Sequence, residues 1–569
     1  MIEPLHPALI LLLGSLLLPL VRERYRKALL LILPVAGFVN LLGIETGVGW
    51  TFSIAGFDVE ALRADKLSLL FGYLFHLAAF LAALFALNVK GALQQMSGLM
   101  YAGAAVLVVF AGDLIVLFVG WELLALTSVF QIWARRTERA RGAGMRYLII
   151  QVSSGLFLLV GAAFHYEQTG SLAFGPMPLD APGAYLILLA FGIKCAFPLL
   201  HNWLIDAYPE ATPTGTVFLS VFTTKVAVYA LARSFAGVEA LIWVGTVMTL
   251  FPIFYAMIEN DLRRVLSYSM INQLGFMVTG VGLGEGMGVN GAVAHAFAHI
   301  IYKSLLFMSM GAVLFRTGRI NGSDLGGLYK SMPITAGLCI VGAASISAFP
   351  LFSGFVSKTM IMAAAADQGF VVIWLALLFA SAGVLHYLGI KIPFFAFFAH
   401  DSGIRCKEAP PHMLIAMGLA AALCVLIGMF PQFLYGLLPY PVTYEPYTTS
   451  HVLTQLQLLL FSILGFTLLQ LFKLYPPELR AINLDSDWLY RRLLPGAVRA
   501  TVRIGTPIRN QIFTAGKQLL DHFISVIQRL HGPEGILSRT WLTNRSVQVI
   551  LVLLSVYLLF YFLRQFSLT

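Results

Sequence analysis

Long apolar runs separated by short polar joints fill most of the chain, and their lengths are those of membrane-crossing helices. Roughly sixteen or seventeen such runs can be marked, the first at residues 5–21, 28–47 and 67–87 and the last at 411–436, 451–473 and 547–563. The N-terminal run lacks an early basic region and a small-residue cleavage site, so it predicts a first membrane helix and not a signal peptide. Residues 49–59, GWTFSIAGFDV, alternate with a short period and predict a hairpin outside the membrane. Two apolar passes hold a lysine followed by a proline, Lys194 with Pro198 and Lys391 with Pro393. Interrupted helices at corresponding positions are a signature of internal repeats in transporters, so this pairing predicts one. After Lys473 the chain turns polar, and apolar residues recur at helical spacing from Ile508 through Leu530 with arginines opposite. That pattern predicts an amphipathic helix lying on a surface, bracketed by Gly505, Pro507, Gly532 and Pro533, followed by one last pass; a local cytoplasmic cap is the alternative.

Composition agrees with the pattern. Charged residues are 11% of the chain and apolar residues 59%, against about 25% charged in soluble domains. The net charge of +10 sits in loops and near the C-terminus. It reads as orientation and contact with anionic lipid, and no basic tract suggests nucleic acid. Alternate loops, at residues 22–27, 90, 135–141, 261–264 and 316–330, carry the lysine and arginine excess, so they are predicted cytoplasmic and the N-terminus outside. The four cysteines, Cys195, Cys339, Cys406 and Cys424, stand far apart without metal-binding spacing, and no phosphate-cradling glycine motif occurs. No metal and no cofactor are expected.

The chemistry lies in charges placed inside apolar passes. An ammonium in hydrocarbon costs about 2.5 to 3.5 kcal/mol even on lenient scales, so it must face protein, a counter-charge or water. Lys194 and Lys225 sit in two such passes, and Glu122 sits deep in a third, nine residues beyond Asp113. A carboxylate beside a lysine makes a pair whose protonation states depend on one another; a static ion pair is the alternative. His295, His299 and Lys303 follow at i, i+4 and i+8, drifting only about 80° around a helix at about 6 Å intervals, the spacing of a proton relay. From there the relay continues to Lys358 or Lys391. Lys358 follows a glycine- and proline-bearing break that suits an interface position, so Lys391 is the favoured relay group and Lys358 a supporting one. His201, Asp206 and Glu210, just past the first interrupted pass, are candidates for a cytoplasmic proton entrance, with ordinary loop charges as the alternative. Asp261, Arg263 and Arg264 are expected just beyond a helix end as docking charges.

The order of motifs resembles a known family. GWELLALTS around Glu122, GIKCAFPLLHNWLIDAYPEATPTGTVFLSVFTTKVAVYALAR around Lys194 and Lys225, ENDLRRVLSYSMINQLGFM, HAFAHIIYKSLLFMSMG, GGLYKSMPITA with FSGFVSK, and NLDSDWLYRR are similar to the proton-translocating antiporter-like subunits of Mrp-type sodium/proton antiporters and respiratory complex I, above all the D-type subunit of Mrp. The resemblance implies an all-α polytopic fold: a core of fourteen helices with two inverted five-helix repeats, each holding a broken helix, then a C-terminal amphipathic segment and an extra pass. It divides the chain into N-terminal helices (1–111), a first half-channel region (112–235), a second (236–400), further core helices (401–473), the extension (474–545) and an anchor (546–569). It also implies that Glu122 and Lys194 form the first half-channel pair, that Lys225 and the His295, His299 and Lys303 stripe cross the centre, and that Lys391 belongs to the second half-channel. The expected function is proton transfer coupled to sodium in a multisubunit complex of a bacterial or archaeal inner membrane, with other membrane subunits as partners. Related subunits also serve quinone- or ferredoxin-linked complexes and inorganic-carbon uptake systems, which are the alternatives. The chain departs from the family pattern in Arg263, where lysine is frequent, in Ala348-Phe349-Pro350-Leu351, where a glycine-proline turn is frequent, and in its C-terminal extension.

Overall fold

Hydrocarbon offers no partner to a backbone amide, so each apolar run closes its own hydrogen bonds as a helix. The computed structural model describes residues 5–54, 56–475, 478–479, 483, 485–538 and 543–566, and the chain divides into two units, Met1–Asn483 and Leu484–Thr569. The first unit begins with α1 (Pro7–Leu16), α2 (Glu23–Leu42) and a hairpin of β1 (Gly47–Ile54) and β2 (Phe57–Ala64). There follow α3 (Lys66–Phe85), α4 (Ala92–Phe110), α5 (Leu114–Trp133), α6 (Glu138–Thr169), α7 (Ala184–Lys194), α8 (Asn202–Ala207), α9 (Gly215–Val221), α10 (Thr223–Ser234) and α11 (Glu239–Ile258). The unit continues with α12 (Leu262–Gly282), α13 (Met287–Thr317), α14 (Pro333–Ile346), α15 (Ser353–Asp367), α16 (Val371–Val384), α17 (Lys391–Pro393), α18 (Pro411–Met429), α19 (Gln432–Tyr435) and α20 (Thr449–Leu471).

The predicted hairpin is present, antiparallel from Gly47↔Ala64 to Ile54↔Phe57. Val59, Leu62 and Ala64 of β2 are buried, and the Glu60 amide donates to Asp113 Oδ2 at 2.6 Å, which ties the hairpin to the start of α5. Among the described residues, 12 helices are long and apolar enough to span a membrane, and Pro7–Leu16, Ala184–Lys194 and Pro333–Ile346 are apolar but shorter. The difference from the sequence reading has a physical cause: interrupted passes are split into pieces too short to qualify alone. α12 is outside the twelve for another reason. It carries Ser267, Ser269, Asn272, Gln273 and Thr279, yet every residue from Val265 to Gly282 is buried, so its polar groups face protein and not lipid.

Two helix breaks share a sequence and a backbone. Between α7 and α8, Ala196 and Leu199 adopt φ of +62° and +69°; between α14 and α15, Ala348 and Leu351 adopt +56° and +72°. Both stretches read Ala-Phe-Pro-Leu. In the first, Ala196 N–H donates to Ile193 O (3.1 Å), Phe197 to Gly192 O (3.0 Å) and Leu200 to Phe197 O (2.9 Å). In the second, Ala348 donates to Ser345 O (3.1 Å), Phe349 to Ala344 O (3.1 Å) and Phe352 to Phe349 O (3.2 Å). A six-residue closure over a left-handed residue is how helices end at glycine, but here alanine occupies the left-handed position. Proline then prevents the helix from resuming at once.

The correspondence extends outward. Asp113 caps α5 and bridges to Ala173, while Asp261 caps α12 and bridges to Asn321. The internal match therefore joins Ala196–Leu199 to Ala348–Leu351, which corrects the expected pairing of Lys194-Pro198 with Lys391-Pro393. Around Lys391 the helix does not break: wide π turns at Leu385–Ile390 and Phe394–Phe398 flank α17, and no residue there has positive φ.

The second unit contains α21 (Leu494–His531) and α22 (Thr543–Phe566). The amphipathic helix is longer than Gly505 and Pro507 suggest, 38 residues with Pro507 inside it, or about 57 Å of contour. Proline costs a helix one amide donor, and the turns on either side carry it through. None of its described residues is buried, and its apolar stripe, including Ile508, Ile512, Leu519 and Phe523, is exposed.

Candidate functional site

Lys194 is the last residue of α7, and its Nζ donates to Trp121 O at 2.6 Å while lying 4.8 Å from the Trp121 ring centroid. Glu122 is the next residue along α5. Its Oε1 is buried without a hydrogen-bond partner and fills the space left by Gly155 of α6, where any Cβ would overlap it. The carboxylate and the ammonium feel one another's charge, but no ion pair joins them among the described residues. Lys194 is held by the carbonyl of Trp121, the residue before Glu122.

Lys225 stands where α9 and α10 meet at a kink on Phe222. The kink frees a carbonyl, and Lys225 Nζ takes it, donating to Ser220 O (2.8 Å) and to Thr224 Oγ1 (3.0 Å). Its charge reaches His299 and Lys303 of α13. Both nitrogens of His299 and Nζ of Lys303 are buried without hydrogen-bond partners among the described residues; Lys303 lies 5.7 Å from the Phe307 ring. Buried polar atoms in this condition are the ones that ordered water serves. His295 is held on both sides, with Nδ1 3.1 Å from Ser357 Oγ and Nε2 3.0 Å from Gln273 Oε1, to which Tyr302 Oη also donates at 3.1 Å. The two imidazole centroids are 6.3 Å apart.

Ser357 leads to the second break. Lys358 is fully buried beside it, its Nζ donating to Ile346 O at 2.8 Å and lying 5.2 Å from the Phe276 ring. Lys358, expected near an interface, is fully enclosed by the chain on α15. Lys391 is also fully buried. Its ammonium donates to Ala256 O (3.2 Å), Met257 O (2.7 Å) and Glu259 O (2.8 Å), and Glu478 Oε1 lies 3.0 Å away.

The other three candidates sit at the connection after the first break. His201 is buried 4.7 Å from the Phe251 ring. Asp206 pairs with Arg146 at 2.7 Å, and Glu210 with Arg139 at 3.0 Å and Arg135 at 3.5 Å. Arg263 is buried and donates to the carbonyls of Pro209, Tyr208, Ala211 and Thr212, so it fastens the connection after the first break to α12. Gln273, Ser357, Tyr302 and Glu478 escape a reading of the sequence. The polar residues of α12 carry a signal for Gln273, whereas Glu478 lies in a polar linker with none.

Residues 111–384 match the family described as "NADH:quinone oxidoreductase/Mrp antiporter, TM". The A-type subunit of a Na(+)/H(+) antiporter from Alkalihalophilus pseudofirmus is 31% identical over 386 residues, 59% of this chain and 47% of that protein. The chain spans about half the length of most curated relatives it matches. A chain in the structure of the membrane-bound sulfane sulfur reductase, an archaeal respiratory membrane complex, superposes with a TM-score of 0.71 at 22% identity, covering 97% of this chain and 99% of that one. A chain of the Mrp complex from Dietzia sp. DQ12-45-1b superposes with a TM-score of 0.67 at 22% identity, covering 82% and 99%. At that identity the two structures speak to fold alone. The segment 111–384 is thus similar to the NADH:quinone oxidoreductase/Mrp antiporter family, and the chain shares the fold of these two solved structures.

Proposed function

We propose that this chain is a proton-translocating membrane subunit of a multisubunit cation/proton antiporter, with sodium as the exchanged cation. The observation that carries the reading is the file of titratable groups around the two Ala-Phe-Pro-Leu breaks: half-buried Glu122, then fully buried Lys194, Lys225, His299, Lys303, His295 and Lys358, with Lys391 beyond. Holding that many ionisable groups inside apolar passes is costly, and a merely structural core has no use for it. In this reading α4 to α10 and α11 to α17 are two five-pass repeats within a fourteen-helix core. An odd number of passes forces the second repeat to run inverted, so the two breaks open toward opposite faces. Glu122 and Lys194 serve one half-channel, the histidine stripe crosses the centre, and Lys358 with Lys391 serves the other.

The motif order most resembles the D-type subunit of Mrp, the place we assign it. The basic loops are cytoplasmic and the N-terminus outside, in a bacterial or archaeal plasma membrane. The exposed stripe of α21 lies along the membrane surface and braces a neighbouring subunit, its arginines toward anionic headgroups, and α22 anchors it. A second reading, a proton-pumping subunit of a redox complex, is favoured by likeness along 97% of the chain to a component of an archaeal respiratory complex. Purifying the complex through this chain and reconstituting it in liposomes separates the two. Sodium-gradient-driven proton movement without redox partners supports the antiporter. Co-purifying iron-sulfur subunits, with proton movement only on electron transfer, would replace it by the second reading.

A further inference from the structure

Lys225 and Lys391 occupy corresponding places, each in the helical segment that follows a broken pass, but their partners differ in kind. Lys225 is held by a carbonyl and a hydroxyl. Lys391 is held by three carbonyls from the C-terminal end of α11 and by one carboxylate. A carbonyl oxygen accepts a hydrogen bond but is too weak a base to take the proton away. Glu478 is the one group in contact with Lys391, among the described residues, that can.

Its position suits that step. Glu478 comes from the segment after α20, outside the membrane-crossing helices. The Lys391 side chain is 0% exposed and that of Glu478 6%, with both carboxylate oxygens buried, so Glu478 is the outer member of the pair. The surroundings leave it free for this role. Glu259 is occupied: its Oε1 accepts from the Asn260 and Asp261 amides at 2.9 and 3.1 Å, and its Oε2 faces Asn483 at 3.4 Å and Arg264 at 4.0 Å. Tyr475 lies close enough to feel the Glu478 charge, with His386 stacked on it at 6.0 Å. Burial pushes the Glu478 carboxyl up from its ordinary value and Glu259 adds to this, while the Lys391 charge opposes it. A carboxyl moved toward neutrality is the better matched for exchange with water.

Building on the proton pathway proposed above, we propose that Glu478 is the terminal proton carrier of this chain, exchanging the proton between Lys391 and water. In the transfer one N–H bond of the ammonium breaks and an O–H bond forms on the carboxylate, leaving a neutral amine and a neutral acid. The acid then releases the proton to solvent and the ion pair is ready to re-form. No electrons change hands.

The test uses the whole complex reconstituted in liposomes, with proton flux followed across pH. Glu478→Gln keeps the shape and the contact with Lys391 but cannot carry a proton, and it is expected to lower flux about tenfold or more with partners still bound. Glu478→Asp should retain most of the flux and move the acid limb of the pH profile to lower pH, a shift that a purely structural tether would not produce. If Glu478→Gln fails to assemble, the Glu478→Asp profile decides alone. Flux within twofold of wild type for Glu478→Gln, or an unmoved acid limb for Glu478→Asp, overturns the proposal. Lys225→Ala run in parallel separates the causes: if it abolishes flux while Glu478→Gln does not, only the role of Glu478 falls, and if neither matters, the pathway itself falls.

Discussion

The two Ala-Phe-Pro-Leu breaks have the same backbone and different charges around it. At the first, Lys194 reaches across to the Trp121 carbonyl on α5, next to the Glu122 carboxylate. At the second, Lys358 turns back to Ile346 O of its own broken pass, beside an aromatic ring. The carboxylate of that half stands instead at Lys391, as Glu478. The break is thus a property of local sequence, repeated nearly unchanged, whereas the acid stands at a different place along the proposed pathway in each half. One half is acidic at its break and neutral at its kink, and the other is the reverse. A scaffold with matched geometry and unmatched charge has a direction, which a proton path needs and a packing motif does not.

Four substitutions bear on this difference. The largest effect is expected from Lys358→Met, which keeps the bulk but removes the titratable group at the second break whose charge acts on His295. Proton flux should fall about a hundredfold with the complex assembled, and flux near wild type would mean the stripe does not use the second break. A smaller loss is expected from Gly155→Ala. The added methyl must displace the Glu122 carboxylate, so flux should fall about tenfold while Lys358-dependent steps are untouched; unchanged flux would show that the Glu122 position carries no weight. The smallest effect is on stability. Ala196→Gly and Ala348→Gly each relieve a left-handed alanine, worth up to about 1 kcal/mol, and should raise the melting temperature by similar small amounts with flux preserved. Unequal shifts would show that the two breaks are not equivalent.

Much of this arrangement is legible in the residues. The apolar runs mark the passes, short alternation marks the hairpin, and the i, i+4, i+8 spacing puts His295, His299 and Lys303 on one helix face. The breaks are harder, because hydrophobic periodicity does not report φ. Ala348-Phe349-Pro350-Leu351 reads as a departure from a glycine-proline turn until its twin at Ala196–Leu199 is seen to have the same hydrogen bonds. The Lys391-Pro393 pairing misleads for a related reason: a proline in a helix can be absorbed by π turns instead of a break. The length of α21 is hidden in the same way, since Pro507 reads as a stop and is carried inside the helix. Glu478 leaves no trace at all, because a carboxylate in a polar linker gains its meaning only from the fold that brings it to Lys391.

The central claim, that protons cross the middle of this chain through buried lysine and histidine, rests most heavily on Lys225, where the first half meets the stripe. The direct measurement is proton flux in liposomes holding the intact complex with Lys225→Ala. Flux is expected to drop about a hundredfold or more while every partner remains bound at wild-type occupancy. Wild-type flux from a normally assembled complex would contradict it and leave the buried charges as structural.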